Sequence, residues 1–161
     1  MILHAGLMAL RFGGRWRGVL IEGASGSGKS DLALRLMDAG LRLVADDRVL
    51  IWSCQGRVYG RAPAPLAGLM EVRGHDVLSF DALRFCAIDL IVRPGVSERM
   101  PQQAFARLLD CDVAMCEAAY LESSAPAKIR LRLQHLGHGA EGAYLVTPLG
   151  ELGAPSVGFS R

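Results

Sequence analysis

The chain has 161 residues, a formal net charge of +2 and an apolar share of 51%, which fits one domain over residues 1–161 with a substantial core. So small a net charge excludes a molecule that gathers nucleic acid through its overall field. No apolar run approaches a membrane span and residues 1–18 lack the order of a secretory signal, so the expectation is a cytoplasmic chain with no membrane partner.

Residues 2–11 alternate loosely, as a strand does, and "GGRWRG" at 13–18 supplies a turn before a short buried strand at 19–23. "KSDLALRLMDAG" follows as a helix. Leu32, Ala33 and Leu36 lie on or near one face, Asp31, Arg35 and Asp38 reach water, and Gly40 ends it. "RLVAD" at 42–46 is the next strand, and "VLIWSC" from Val49 continues extended structure. "GRVYGRAPAPLAG" reads as turns, because its prolines exclude a central strand or helix. "MEVRG" at 70–74 is a compact charged segment, and "LRFCAIDLIVRP" at 83–94 is a strong strand. "ERMPQQAFARLLD" then predicts a helix with Phe105, Leu108 and Leu109 as its apolar stripe. "DVAMCEAAYLE" fits strand or helix, and "PAKIRLRLQHLG" fits a terminal helix or an alternating strand. The tail from about residue 138 is rich in glycine and proline and reads as flexible.

Cys54, Cys86, Cys111 and Cys116 match neither a zinc knuckle nor a redox pair and read as buried thiols. His135 and His138 could share a helix face, yet no third ligand accompanies them.

"GASGSGKS", residues 23–30, fits G-x-x-x-x-G-K-S and stands between an apolar strand and an amphipathic helix. Gly23, Gly26 and Gly28 let the backbone curl through Ala24, Ser25 and Ser27 so that amide hydrogens point inward, and the helix adds its positive end. Lys29 can reach the β- and γ-phosphates, and Ser30 can place its hydroxyl on magnesium. This pattern indicates nucleotide or pyrophosphate binding rather than a structural turn.

Asp46 and Asp47 end the next strand, and a carboxylate there is costly unless a donor, a cation or a metal meets it. A strand parallel to the first would end near the phosphate crevice. Adjacent side chains point apart, so one aspartate can face the transferring phosphate while the other meets magnesium or supports the loop. Asp46 could orient a hydroxyl and accept its proton late in a dissociative transfer. The direction of its pKa shift stays open, since magnesium lowers it while Asp47 and burial raise it. The alternative is a solvated turn with an Asp cap. Asp89 in "FCAIDLIV" is a second candidate for the metal, although apolar residues continue after it.

Together, "LIEGASGSGKSDLALRLMDAGLRLVADDRV" and "LMEVRG" resemble the catalytic domain of HPr kinase/phosphorylase over about residues 2–94, in the short form found in alphaproteobacteria. The resemblance implies an α/β P-loop fold with a mixed central sheet, like that of phosphoenolpyruvate carboxykinase. It implies an ATP-dependent serine kinase acting on an HPr-like phosphocarrier protein, with ATP and Mg2+ bound and with phosphate used, and pyrophosphate released, in reverse phosphorolysis. In that family the first aspartate is base in one direction and acid in the other, and Asp46 matches it; Asp47 matches the second, tied to the metal. Gly23, Gly28, Lys29 and Ser30 match the phosphate loop, with Ser30 a magnesium ligand. Glu71 would assist magnesium, Arg73 would support the phosphate environment, and His4 resembles a histidine upstream of the loop. Self-association, up to a hexamer, is implied as well.

The usual V-R-P-G-R-N segment is missing near the C-terminus. "VRPG" at 92–95 lies elsewhere, and "ESSAPAKIRL" at 122–131 takes the comparable late position, with Lys128 or Arg130 as a candidate cation. That departure favours a mainly kinase activity. The alternatives are a nucleotide-responsive interaction module that transfers no phosphate, and a small-molecule kinase or ATPase.

Overall fold

In a computed structural model, which describes residues 1–96, 99 and 102–136, three hairpins build most of the sheet. The pair β2 (Gly6–Phe12) and β3 (Arg15–Ile21) turns at Gly13–Gly14, and β5 (Arg48–Cys54) and β6 (Arg57–Arg61) turn at Gln55–Gly56. The third pair, β10 (Ala104–Leu108) and β11 (Cys111–Ala118), turns at Leu109–Asp110. Both residues of every turn have positive φ, the pattern whose twist matches the flanking strands. The remaining strands are β1 (Ile2–His4), β4 (Arg42–Ala45), β7 (Leu69–Glu71), β8 (Val77–Ser79) and β9 (Cys86–Pro94); the helices are α1 (Lys29–Asp38) and α2 (Ala125–Gln134).

The protein is thus mixed α/β. Its main sheet runs β1-β5-β6-β9-β3-β2-β4, with β11 also paired to β9 and β10 beyond it. Leu90 pairs with Val19 and Ala114 at once, so β9 lies between two parallel neighbours, β3 and β11. Because β2 is antiparallel to both β3 and β4, those two run the same way. Their carboxyl ends open together, where α/β sheets collect ligands.

Alternation sorts the buried residues onto two faces. Met8, Leu10, Val19, Ile21, Leu90 and Val92 pack with Leu32 and Leu36 of α1 and with Ile129 and Leu133 of α2. Leu7, Ala9, Leu20 and Ile91 face a second cluster that includes Val49, Ile51 and Val58. The sheet curls to close that cluster, and Gly60 permits it: a Cβ there would stand 2.7 Å from Leu7 Cδ2. Each fully buried leucine or isoleucine stabilises the fold by roughly 1.5–3 kcal/mol. Arg17 caps the far end of α2, donating to the carbonyls of Leu133 at 2.8 Å and Leu136 at 3.2 Å, where a cation meets the negative end of the helix.

Several expectations are corrected. The helix expected over "ERMPQQAFARLLD" is instead strand β10 within residues 104–108, since Ala106 and Leu108 turn inward while Phe105 and Arg107 face water. Part of the segment read as turns is β6, and the turn at 13–18 shrinks to Gly13–Gly14. The first strand breaks at Ala5, whose N–H donates to the Asp47 carbonyl. Of the four cysteines, all free, only Cys86 is buried; its thiol is pushed up to about 12 by burial, while Cys54 is exposed. His138 and the expected flexible tail lie outside the described residues, and His135 ends α2.

Candidate active site

After Ile21 the sheet makes one more bond, from the Glu22 N–H to the Val92 carbonyl, before the chain leaves β3. At Gly23 the backbone takes a φ of 148° and passes so close to Ser27 that a Cβ would stand 2.5 Å from its Oγ. A side chain there would push the Ser27 hydroxyl aside and strain a backbone conformation that favours glycine. Ser27 N–H donates to the Ala24 carbonyl at 3.2 Å, and left-handed Gly28 starts α1 with no side-chain cap. The amides of the first helical turn are therefore left for another acceptor.

Lys29 is only 8% exposed. Its ammonium donates to the carbonyls of Gly23 at 2.9 Å and Ala24 at 3.0 Å, and it faces His4 Nε2 at 3.4 Å. His4 Nδ1 lies 3.1 Å from Asp47 Oδ1. This pattern assigns the ring proton to Nδ1, leaving Nε2 to accept from the lysine. Strand β1 thus delivers a histidine that links the cation of the loop to the second aspartate.

The acidic doublet divides, but in the bend after β4 rather than on the strand itself. Asp46 turns inward and is 8% exposed. It accepts from Ser30 Oγ at 3.4 Å and from the backbone N–H groups of Glu71 and Asp47. Burial, the largest influence, pushes its carboxyl above the ordinary value; those hydrogen bonds oppose the rise and the Asp47 charge adds to it. Asp47 takes a left-handed φ of 61°, which throws its side chain outward to His4 and, at 3.8 Å, to Arg48. The Asp46 carbonyl accepts from the Arg48 N–H across the bend.

These groups surround a cleft of about 580 Å³ lined by His4, Ser25, Gly26, Gly28, Lys29, Ser30, Asp31, Leu34, Asp47, Glu71, Val72, Arg73 and Leu121. Glu71 comes from the end of β7 and Arg73 from the turn after it. Asp46 lies beneath, against Ser30 and the Glu71 backbone. Among the described residues no three His, Cys, Asp or Glu side chains form a ready cation cage. Ser30, Asp47 and Glu71 around one cleft are instead a sparse oxygen set, of the kind magnesium takes when phosphates complete its shell.

Three other candidates do not join this group. Asp89 accepts from the Gly18 N–H at 3.2 Å and pairs with Arg57 at 3.1 Å and Arg15 at 3.5 Å, so it serves the sheet. Lys128 pairs with Glu122 at 2.7 Å, and Arg130 lines a separate groove between α1 and α2.

Two residues beside the loop carried no signal in the sequence. The Tyr120 hydroxyl bridges the carbonyls of Glu22 and, at 2.8 Å, Val92, holding the mouth of the loop to β9. Burial raises its pKa, which keeps it a donor. Leu121 lies over the loop, so that a Cβ on Gly28 would stand 3.2 Å from its Cδ2. Nothing in "AAYLESS" marks either role.

Comparisons with known proteins bear on the family and the fold. The profile of the HPr Serine kinase C-terminal domain matches residues 3–86, just over half of the chain. HPr kinase/phosphorylase from Clostridium tetani is 46% identical over 66 residues, covering 41% of this chain and 22% of that protein. The enzyme of the same name from Clostridium perfringens is 47% identical over 66 residues, again 41% and 22%. The match therefore spans about a fifth of the length of these curated relatives. Among solved structures, the HPr(Ser) kinase/phosphatase from Coxiella burnetii superposes with a TM-score of 0.67 at 22% identity, over 81% of this chain and 92% of that one. That likeness concerns the fold, and the profile match concerns descent: the chain belongs to the HPr serine kinase C-terminal domain family.

Proposed function

We propose that the chain is an ATP-dependent protein kinase that phosphorylates a serine of an HPr-like phosphocarrier, on a P-loop fold of the phosphoenolpyruvate carboxykinase kind. One observation carries the reading: a buried carboxylate of raised pKa, Asp46, lies against the last serine of the glycine-rich loop. A simple nucleotide-binding module gains nothing from such a group, which costs stability when ionised.

The loop amides and Lys29 bind the phosphates, and Arg73 adds a second cation at the cleft wall. Ser30, Asp47 and Glu71 would hold magnesium, which when bound neutralises charge on the phosphate oxygens. Asp46 orients the serine hydroxyl. As the serine oxygen bonds to the γ-phosphorus and the bond to the ADP oxygen breaks, the hydroxyl proton passes to Asp46. His4 keeps Asp47 and Lys29 in place by bridging them. The same carboxyl has a role in the reverse direction. Protonated, it can give its proton to the departing serine oxygen as phosphate bonds to the phosphoserine phosphorus and forms pyrophosphate.

Incubation with γ-labelled ATP and the organism's HPr-like proteins tests the reading. Label on a protein serine is the expected result. Tight ATP binding without transfer, or label reaching only water or a metabolite, would overturn it.

A further inference from the structure

Beyond the cleft, the pleat sends a second group of side chains to one outer face. Ile2 of β1 stands opposite Leu50 of β5, and Trp52 of β5 opposite Tyr59 of β6. Phe85, just before β9, completes a three-ring cluster: the centroids of Trp52, Tyr59 and Phe85 lie 5.8, 6.1 and 6.4 Å apart. The alternate residues Val49, Ile51 and Val58 already fill the core beneath. Yet Ile2 and Phe85 are each 56% exposed and Trp52 is 37% exposed. Apolar area left in water forgoes about 25 cal/mol per Å², and a contiguous patch of it marks a contact surface.

The surroundings are cationic. Arg48 and Arg61 project from the same face, and Arg57 lies over the Tyr59 ring at 5.8 Å. Of the carboxylates beside them, Asp89 is already held by Arg57 and Arg15, and Asp47 lies 3.8 Å from Arg48 Nε. Arg61 is exposed and has no carboxylate partner among the described residues. A second copy docked through this face would set the arginines against one another. A partner with an apolar side chain ringed by carboxylates satisfies both the rings and the rim.

The face is also continuous with the cleft. His4 shares its side of β1 with Ile2, lines the cleft, and stands opposite Arg48, four residues before Trp52. At about 3.3 Å per residue that separation is roughly 13 Å. A docked protein, with a footprint of roughly 800 Å², spans it; a small metabolite does not.

We infer that this aromatic and arginine face docks the protein that brings the acceptor hydroxyl, a folded partner presenting an apolar side chain among carboxylates, an inference that rests on the kinase reading above. The test measures transfer from labelled ATP to a purified HPr-like phosphocarrier by the Trp52→Ser/Phe85→Ser double variant and, separately, by Arg61→Glu. Each should raise KM for the carrier, by about tenfold and several-fold respectively, with kcat and ATP affinity unchanged. The wild-type KM should rise with salt, and the Arg61→Glu difference should fade at about 0.5 M. Unchanged KM in both variants overturns the docking face while leaving the kinase reading intact. No transfer by the wild type to any protein sinks both. A wild-type dimer that the double variant dissolves makes the face a self-contact and overturns the inference. Should the double variant fail to fold, Trp16→Phe leaves Trp52 as the lone tryptophan. Its emission should shift to the blue when the carrier is added, and an unmoved spectrum counts against the face.

Discussion

Two carboxylates enter the sheet among apolar residues, and they meet opposite company. Asp89, midway along β9, takes a backbone N–H and two guanidinium groups from its own chain. Asp46, at the end of β4, takes a serine hydroxyl and two backbone N–H groups, with Asp47 as its charged neighbour. An acid whose cations come from the fold is holding the fold together. One left without a cation is arranged for something that arrives from outside.

Isosteric substitution breaks this contrast most sharply at Asp46. Asp46→Asn should lower phosphotransfer by about 10²–10⁴-fold, the usual worth of a general base, in a steady-state assay with labelled ATP. It should also raise stability by on the order of 1 kcal/mol, about 2–4 °C in Tm, because a buried charge is removed. The pH dependence has a definite sign. Native Asp46 keeps its proton to higher pH than the unfolded chain does, so its contribution to stability is full below the ordinary carboxylate value and is lost as pH rises through the raised one. Urea unfolding across that window should therefore be flatter in Asp46→Asn than in the wild type. Forward transfer by the wild type should fall as pH drops far enough for Asp46 to take up a proton.

Lys29→Ala comes next, with an expected loss of about 10²–10³-fold in transfer and weakened ATP binding by calorimetry. Tyr120→Phe leaves the Glu22 and Val92 carbonyls without their shared donor, at a cost of about 1–3 kcal/mol read from the urea midpoint. Because the tyrosine only steadies the mouth of the loop, KM for ATP should rise while kcat holds. Asp89→Asn is the smallest in rate and sharpens the comparison. Turnover should change less than about twofold, while stability falls by at most about 1 kcal/mol, since Arg15 and Arg57 are half exposed. Opposite stability signs at the two acids would establish the contrast; equal signs would erase it.

The glycine-rich loop, its helix and the doublet were legible because each rests on short-range chemistry. Gly28 and Lys29 sit where helix α1 begins, and Asp46 follows directly on the apolar β4. Two hairpins hid better. The turn into β6 uses Gln55–Gly56 and the turn into β11 uses Leu109–Asp110, all with positive φ. Leucine in such a turn gives no warning, and the spacing of Phe105, Leu108 and Leu109 also satisfies a helix. Tertiary pairing with β11 decided the matter, through Phe105 opposite Ala114 and Leu108 opposite Cys111. Glu71 was legible as a type of residue but not as a backbone donor to Asp46, because that bond joins segments 25 residues apart. Tyr120 lies 98 residues from the carbonyl it holds, and no local pattern reports such a contact.

Lys29 is fastened to the two carbonyls of its own loop and turned toward His4. An incoming anion must displace these internal contacts before it gains the ammonium. A single anion engages part of this set, whereas a polyphosphate tail would engage the lysine, the loop amides and the helix end together. On the proposed reading, these contacts of Lys29 would favour extended phosphates over single anions.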